Sequence, residues 1–385
     1  MKRRDVLTAA AGAALAPIAG QAQAQTASQQ TFSFRIQVGT PAASVYFELM
    51  KKFADRIGKM SGGRLKADVL PDGAVVGFFD ILDAVHKGVV EAGFAWTHFW
   101  SGKNSAAYLF SNPAASTGMD QLSHMAWYLH GGGYELYRKF YSEVLKFNVE
   151  GFLMQPMGPD PFGWFKRPIK SLADFKQMKY RSPPGITGEI FKEMGASPVA
   201  IPGGEIVPSA QRGVIDAAEW IGPADDMNLG LYTVWKNYYL QGLHQATDVG
   251  EILFNKAFWD KLPADLKEII QGAIMASMME TYTYANIFKN AGAVRTLRDK
   301  HNVKIFDTPK DLYPAFIAAA NKILDKYAGI NPFFKEVLAS QRQFAVDVVP
   351  WRTKILELYA SVGQTAEKAA QKSVGQTAEK AVQKK

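Results

Sequence analysis

Between Phe32 and Trp96 the spacing of apolar residues switches repeatedly between two and about 3.6 residues, and that switching narrows the fold more than any other feature. Phe32–Val38 alternates apolar and polar side chains with β-branched and aromatic content. Ala43–Met60 carries apolar residues at helical spacing and stops at Gly62-Gly63, and Leu65–Leu70 reads as a second strand. Phe78–Val85 then reads as a helix and Val90–Trp96 as a buried strand. Strand and helix in alternation mark a parallel sheet with helices packed on it. The pattern resumes after Asn148, with short strands at Val149–Met154, Gly163–Lys166, Lys179–Ser182 and Ser197–Ile201 and a helix at Gly185–Glu193. The expectation is an α/β chain of two lobes, residues 25–150 forming mainly the first and 151–260 mainly the second.

From Pro263 to Lys300 a helical pattern that includes Leu266, Ile269, Ile270, Ile274, Met278 and Met279 runs almost unbroken. At about 1.5 Å per residue such a helix approaches 50 Å, longer than one small lobe is wide. Residues 261–300 are therefore expected to span both lobes, with Gly272 and Gly292 as the places where a kink would divide the rod. Residues 301–360 supply a C-terminal strand and helices. The stretch 361–385 holds a direct repeat, Ser361–Lys372 followed by its near copy Ser373–Lys384. Two copies are too few to bury a core of their own, so this tail is expected to be solvated, partly helical or disordered.

Residues 1–24 combine a basic start (Lys2, Arg3, Arg4), an apolar small-residue run from Val6 to Ala19 and the small-x-small ending Ala22-Gln23-Ala24, which is the pattern of a secretory signal cleaved near Ala24. Arg3-Arg4 before Val6-Leu7 suits the twin-arginine route, and a general secretory signal with two basic residues is the alternative. No later stretch reads as a membrane span, so the expected location is the periplasm. The chain has no Cys, which excludes disulfides, thiolate nucleophiles and Cys-ligated metal. Its net charge of +8 divides into +2 from the leader, +3 from the tail (five Lys against Glu367 and Glu379) and only +3 over the body, which is no nucleic-acid footprint.

No G-x-S-x-G, H-E-x-x-H, Walker A or EF-hand loop is present, and the six His do not fall at metal-ligand spacing. Gly131-Gly132-Gly133 lacks the strand and frame of a dinucleotide loop. Other blocks stand out. Pro159-Asp160-Pro161-Phe162-Gly163-Trp164-Phe165 is one; Ser171–Arg181 is another, a short capped helix delivering an arginine at a strand end. Gly203-Gly204-Glu205-Ile206 and Gly213-Val214-Ile215-Asp216-Ala217-Ala218-Glu219-Trp220 follow.

At these residues the chain resembles the extracytoplasmic solute receptors of TRAP transporters, the DctP-type family. The resemblance extends from about Phe32 to Tyr359 and implies a two-lobed periplasmic binding protein with its ligand cleft between the lobes. In that family a strand-borne arginine after "adfkGlKiR" forms a salt bridge with the substrate carboxylate, a role that falls here on Arg181 of Lys179-Tyr180-Arg181. Arginine suits it, because its planar fork binds a carboxylate through two parallel hydrogen bonds and stays charged in a closed cleft. The alternative is that Arg181 pairs with a structural carboxylate.

His130-Gly131-Gly132-Gly133-Tyr134-Glu135-Leu136-Tyr137 and Glu219–Gly230 (EWIGPADDMNLG) resemble the subgroup that binds 2-oxo and 2-hydroxy acids with a metal ion. The resemblance implies a cation held by Glu219, by the main-chain carbonyl of Trp220 and by a Gln four residues before the Trp of "GWF", with the substrate carboxylate completing the shell. Here the Gln position is Asp160, a departure from the pattern. Three negative charges against Arg181 favour a divalent ion, and oxygen-only ligation favours calcium, with sodium as the alternative. Asp160 is also open to two other readings: a turn between Pro159 and Pro161, or a contact to a substrate hydroxyl or amine without metal.

Thr97-His98-Phe99-Trp100 follows the buried strand, where open α/β sheets place ligand contacts. His98 and Trp100 are candidates for a polar contact and apolar lining, Phe99 for lining or core, and His244 and Gln245 for a further wall. The leading expectation is a receptor that closes over a small organic acid and docks on the membrane subunits of a TRAP transporter. A receptor presenting its ligand to a sensor is a second reading. An enzyme using Asp160 and Glu219 as paired carboxylates lacks an evident nucleophile. The subgroup resemblance further implies a homodimer whose C-terminal helix, around Gln341–Tyr359, crosses to its partner; Phe344, Val348, Val349, Ile355, Leu356 and Tyr359 are its apolar positions and could equally pack on their own subunit.

Overall fold

The computed structural model describes residues 30–111 and 117–382; the leader expected over residues 1–24 lies outside them. The described residues hold eleven strands: β1 (Phe32–Val38), β2 (Leu65–Leu70), β3 (Ala92–Trp96), β4 (Val149–Pro156), β5 (Gly163–Phe165), β6 (Lys179–Arg181), β7 (Ser197–Val199), β8 (Ala217–Ala218), β9 (Asn237–Tyr239), β10 (Val249–Asn255) and β11 (Lys304–Phe306). They form two sheets, ordered β2-β1-β3-β10-β4 and β11-β9-β5-β8-β6-β7. The α/β, two-lobed architecture is as expected. In the first sheet β1 pairs in parallel with β2 and β3, whereas β10 runs antiparallel to β3 and β4.

That topology corrects the division at residue 150. Both β4, expected in the second lobe, and β10 belong to the first sheet, where each is almost entirely buried. The chain therefore crosses between sheets after β4 and returns before β10. Residues 157–162 and 240–248 are those two crossovers, and they lie side by side: Met157 N donates to Asp248 O (2.6 Å) and Asp160 N to Gln245 O (3.0 Å), while Gln121 Oε1 accepts from both Gly158 N and Asp248 N.

Helix Val45–Met60 starts where Ser44 Oγ accepts from Tyr46 N, and it buries Tyr46, Leu49, Met50, Phe53 and Ile57 at the three- and four-residue spacing of one helical face. The Phe78–Val85 segment is tighter than expected, a 3₁₀ turn over Phe78–Asp80 before the helix Ile81–His86. The long rod is unbroken: helix Ala264–Glu280 widens into π turns over Thr281–Lys289 and continues as Asn290–His301. Its first part packs on helix Val45–Met60 and β4, and its last part on helix Pro223–Leu229 of the second lobe, so it spans both.

The Gly131–Gly133 block is a tight turn. Gly132 has φ +84°, and a Cβ on Gly131 would come within 2.8 Å of the Phe344 ring. That ring belongs to the terminal helix Pro332–Val382, which takes in the tail repeat. This helix buries Phe334, Val337, Leu338, Gln341 and Ala345 and then leaves the body, with Trp351 62% and Tyr359 68% exposed.

Candidate functional site

Parallel strands deliver side chains from their carboxyl ends, and three of them converge here. Strand β3 leads into the 3₁₀ turn Thr97–Gly102, β6 ends on Arg181, and β8, paired with β6 in parallel, runs straight into Glu219 and Trp220. The two crossovers close the third side. Together Phe78, Trp96, His98, Phe99, Asp160, Arg181, Pro183, Glu219, Trp220, Ile221, Gln245 and Asp248 line a narrow void of about 20 Å³ between the lobes.

Arg181 is buried. Its Nε donates to Ile201 O (3.0 Å), and its Nη1 donates to Glu219 O (3.1 Å) and Glu219 Oε1 (2.5 Å). The guanidinium also lies 5.1 Å from the Trp220 ring centre, a cation–π contact in a desolvated place. The Trp220 indole is fixed from two directions. Its Nε1 donates to Asp225 Oδ2, and its six-membered ring lies over Gly203, where a Cβ would come within 2.4 Å. Asp225 Oδ1 accepts from Val45 N of the first lobe, so the residue that fixes Trp220 also ties the lobes together.

The carboxylates are the unbalanced part of the site. Asp160 is buried, and its Oδ1 has no hydrogen-bond partner. Burial, reinforced by Asp248, Glu219 and Asp226, pushes its carboxyl well above the ordinary range, with Arg181 opposing. Asp248 is raised in the same way, by burial and then Glu219. His98 is pushed down to about 3 by burial and the nearby Arg181, so it is a neutral imidazole. Gln245 Oε1 is a further buried acceptor without a partner.

Of the residues singled out from the sequence, Asp160, His98, Arg181, Glu219, Trp220 and Gln245 meet at this void. Trp100 does not. Its Nε1 donates to Glu251 Oε1 (2.7 Å) inside the first lobe, and Phe99 takes the lining position instead, because a 3₁₀ turn sends adjacent side chains in different directions. The structural-carboxylate alternative for Arg181 is realised geometrically, by Glu219 itself. Among the described residues no three His, Cys, Asp or Glu side chains converge at metal-ligand spacing. Asp248 was missed; the only signal in the sequence was an acid directly ahead of the strand Val249–Asn255.

The model of bacterial extracellular solute-binding protein family 7 (DctP) matches residues 37–329. The chain is 30% identical to the monocarboxylate 2-oxoacid-binding periplasmic protein of Nostoc sp., over 91% of this chain and 96% of that one. Among solved structures, a TRAP transporter solute-binding protein from Bordetella bronchiseptica, a mixed-occupancy dimer with co-purified calcium and picolinate in its bound active site, superposes with a TM-score of 0.81 at 27% identity, covering 87% of this chain and 99% of that one. One from Pseudoalteromonas atlantica with bound sodium and pyruvate gives 0.79 at 26% identity, covering 86% and 99%. With its two interleaved sheets, spanning helix and inter-lobe arginine, the chain belongs to the DctP family of extracellular solute-binding proteins, the receptors of TRAP transporters.

Proposed function

We propose that this receptor captures a small organic acid, a 2-oxo or 2-hydroxy monocarboxylate, between Arg181 and a calcium ion held by Asp160, Glu219 and the Trp220 main-chain carbonyl, in the periplasm. The observation that carries the reading is the imbalance in the void: Arg181 faces buried Asp160, Glu219 and Asp248, and Asp160 Oδ1 has no donor. Buried polar groups in native proteins are normally satisfied, so an orphaned carboxylate oxygen beside other carboxylates calls for a cation. The donor set is all oxygen, which fits a hard ion with an irregular shell, calcium before sodium on charge. Bound there, the ion would neutralise the carboxylates and hold them to the ligand. A ligand carboxylate takes the place at Nη1 that Glu219 Oε1 now holds, which frees that glutamate oxygen. The relatives that bind calcium with picolinate, sodium with pyruvate, or 2-oxo acids support the same class. His98, Phe99 and Gln245 line the remaining wall; Trp100 acts behind it.

Calorimetry with pyruvate and lactate on calcium-loaded and chelator-treated protein tests the bridge. A loss of at least about tenfold in affinity without calcium, not restored by sodium, is expected. Unchanged affinity sinks the metal. The reading extends to partners: the closed form docks on the transporter's membrane subunits, and the exposed Trp351, Leu358 and Tyr359 of the terminal helix seat against a second copy, which light scattering reads as a dimer.

A further inference from the structure

We propose that His98 makes this site select a ligand with a hydrogen-bond donor beside its carboxylate, a 2-hydroxy acid in preference to the matching 2-oxo acid. The inference rests on the site being a carboxylate receptor and adds the sign of one hydrogen bond. It follows from counting protons. Ser111 Oγ lies 2.7 Å from Val249 O, a carbonyl that only accepts, so the single hydroxyl proton is committed there. Asp248 Oδ1, at 3.4 Å from the same oxygen, is too distant to compete for it. His98 Nδ1 is 3.1 Å from Ser111 Oγ, and with that hydroxyl proton spent, Nδ1 must be the donor.

The ring is neutral, buried and near Arg181, so it carries one proton and that proton is on Nδ1. Nε2 is then a bare lone pair. It is buried and has no partner, and the ring lines the same void as Arg181. A ligand hydroxyl donates to Nε2. A ligand carbonyl oxygen sets lone pair against lone pair and leaves Nε2 unsatisfied. A site whose buried acceptor goes unpaired discriminates against the analogue that lacks the donor. An imidazole nitrogen is a poor partner for a hard calcium ion, so the metal is not the expected occupant of this position.

The test is calorimetry of the full, calcium-loaded protein with two matched pairs, lactate against pyruvate and 2-hydroxybutyrate against 2-oxobutyrate. The hydroxy acid should bind at least about tenfold more tightly in each pair. In His98→Gln, whose amide offers either a donor or an acceptor, the ratio should fall to within about twofold while both acids still bind. The ¹⁵N spectrum of histidine-labelled protein without ligand reads the tautomer directly and should show Nε2 unprotonated. Equal or tighter binding of the oxo acids, or a proton on Nε2, overturns the inference and leaves the receptor reading standing. Binding of neither member of either pair overturns both.

Discussion

Glu251 and Asp160 are both fully buried carboxyls pushed upward by burial, yet they sit in opposite chemical situations. Glu251 lies mid-strand on β10, where Oε1 accepts from Trp100 Nε1 (2.7 Å), both oxygens lie 2.8 Å from Tyr141 OH, and Tyr137 OH donates to Oε2. Asp226, in the second lobe, is held similarly by Trp164 Nε1 (2.7 Å) and Tyr238 OH (2.8 Å). Asp160 sits on a crossover among other carboxylates, with Oδ1 unpartnered. Burial and a raised pKa therefore do not distinguish a structural acid from a ligand-binding one. Hydrogen-bond satisfaction does. A fully satisfied acid fixes the core, and an unsatisfied one waits for something to arrive.

The most severe test changes the guanidinium that lies among the site's carboxylates and has no counterpart around Glu251. Arg181→Lys keeps a cation beside Glu219 but loses the planar fork, so ligand affinity should fall about 100-fold or more while the fold survives. Calorimetry with a bound acid checks it, and affinity within a few-fold of wild type would reduce Arg181 to a structural partner of Glu219. Next in size is Glu251→Ala, which leaves three buried donors without an acceptor and should cost about 3 kcal/mol in urea unfolding.

The milder Glu251→Gln reads the same site through pH. Glu251 moves from an ordinary 4.5 to about 7 on folding, so the folded state holds the proton more tightly. Its stabilising contribution is complete below about 4.5 and is lost as pH rises through about 7, with a slope of up to about 1.4 kcal/mol per pH unit. The amide variant lacks that slope, so the gap between wild type and variant should tilt between pH 5 and 7; parallel curves would mean Glu251 does not titrate on folding.

Local periodicity made the elements legible. β1, β2 and helix Val45–Met60 alternate at two or 3.6 residues, β3 is a short continuous apolar run, and the long rod is visible because nothing breaks its pattern before Lys300. Sheet membership was not legible. Whether Val149–Pro156 joins the first or second sheet depends on β10, about 100 residues further on, and a short apolar run carries no record of its partner. The site followed the same rule. Arg181, Glu219 and Trp220 sit in blocks with a recognisable local pattern, whereas Asp248 reaches the void only because the two crossovers pair. Which of Phe99 and Trp100 faces the void was not legible, because a one-residue change of facing in a 3₁₀ turn leaves no mark in composition.

The smallest expected effect is the one that separates the two acids most cleanly. In Asp160→Asn the charge is lost and one carboxylate oxygen becomes an amide nitrogen, at a side chain whose Oδ1 has no protein donor, so ligand-free protein in chelator should be as stable as wild type or up to about 1 kcal/mol more stable. The same change takes an oxygen ligand and a charge from the proposed cation, so calcium-dependent affinity for lactate or pyruvate should fall about tenfold or more. Stability and function then move in opposite directions at Asp160, whereas Glu251→Ala costs stability outright. If thermal melts show Asp160→Asn destabilising the ligand-free protein as Glu251→Ala does, Asp160 is held by the fold after all. The turn between Pro159 and Pro161 would then be its role.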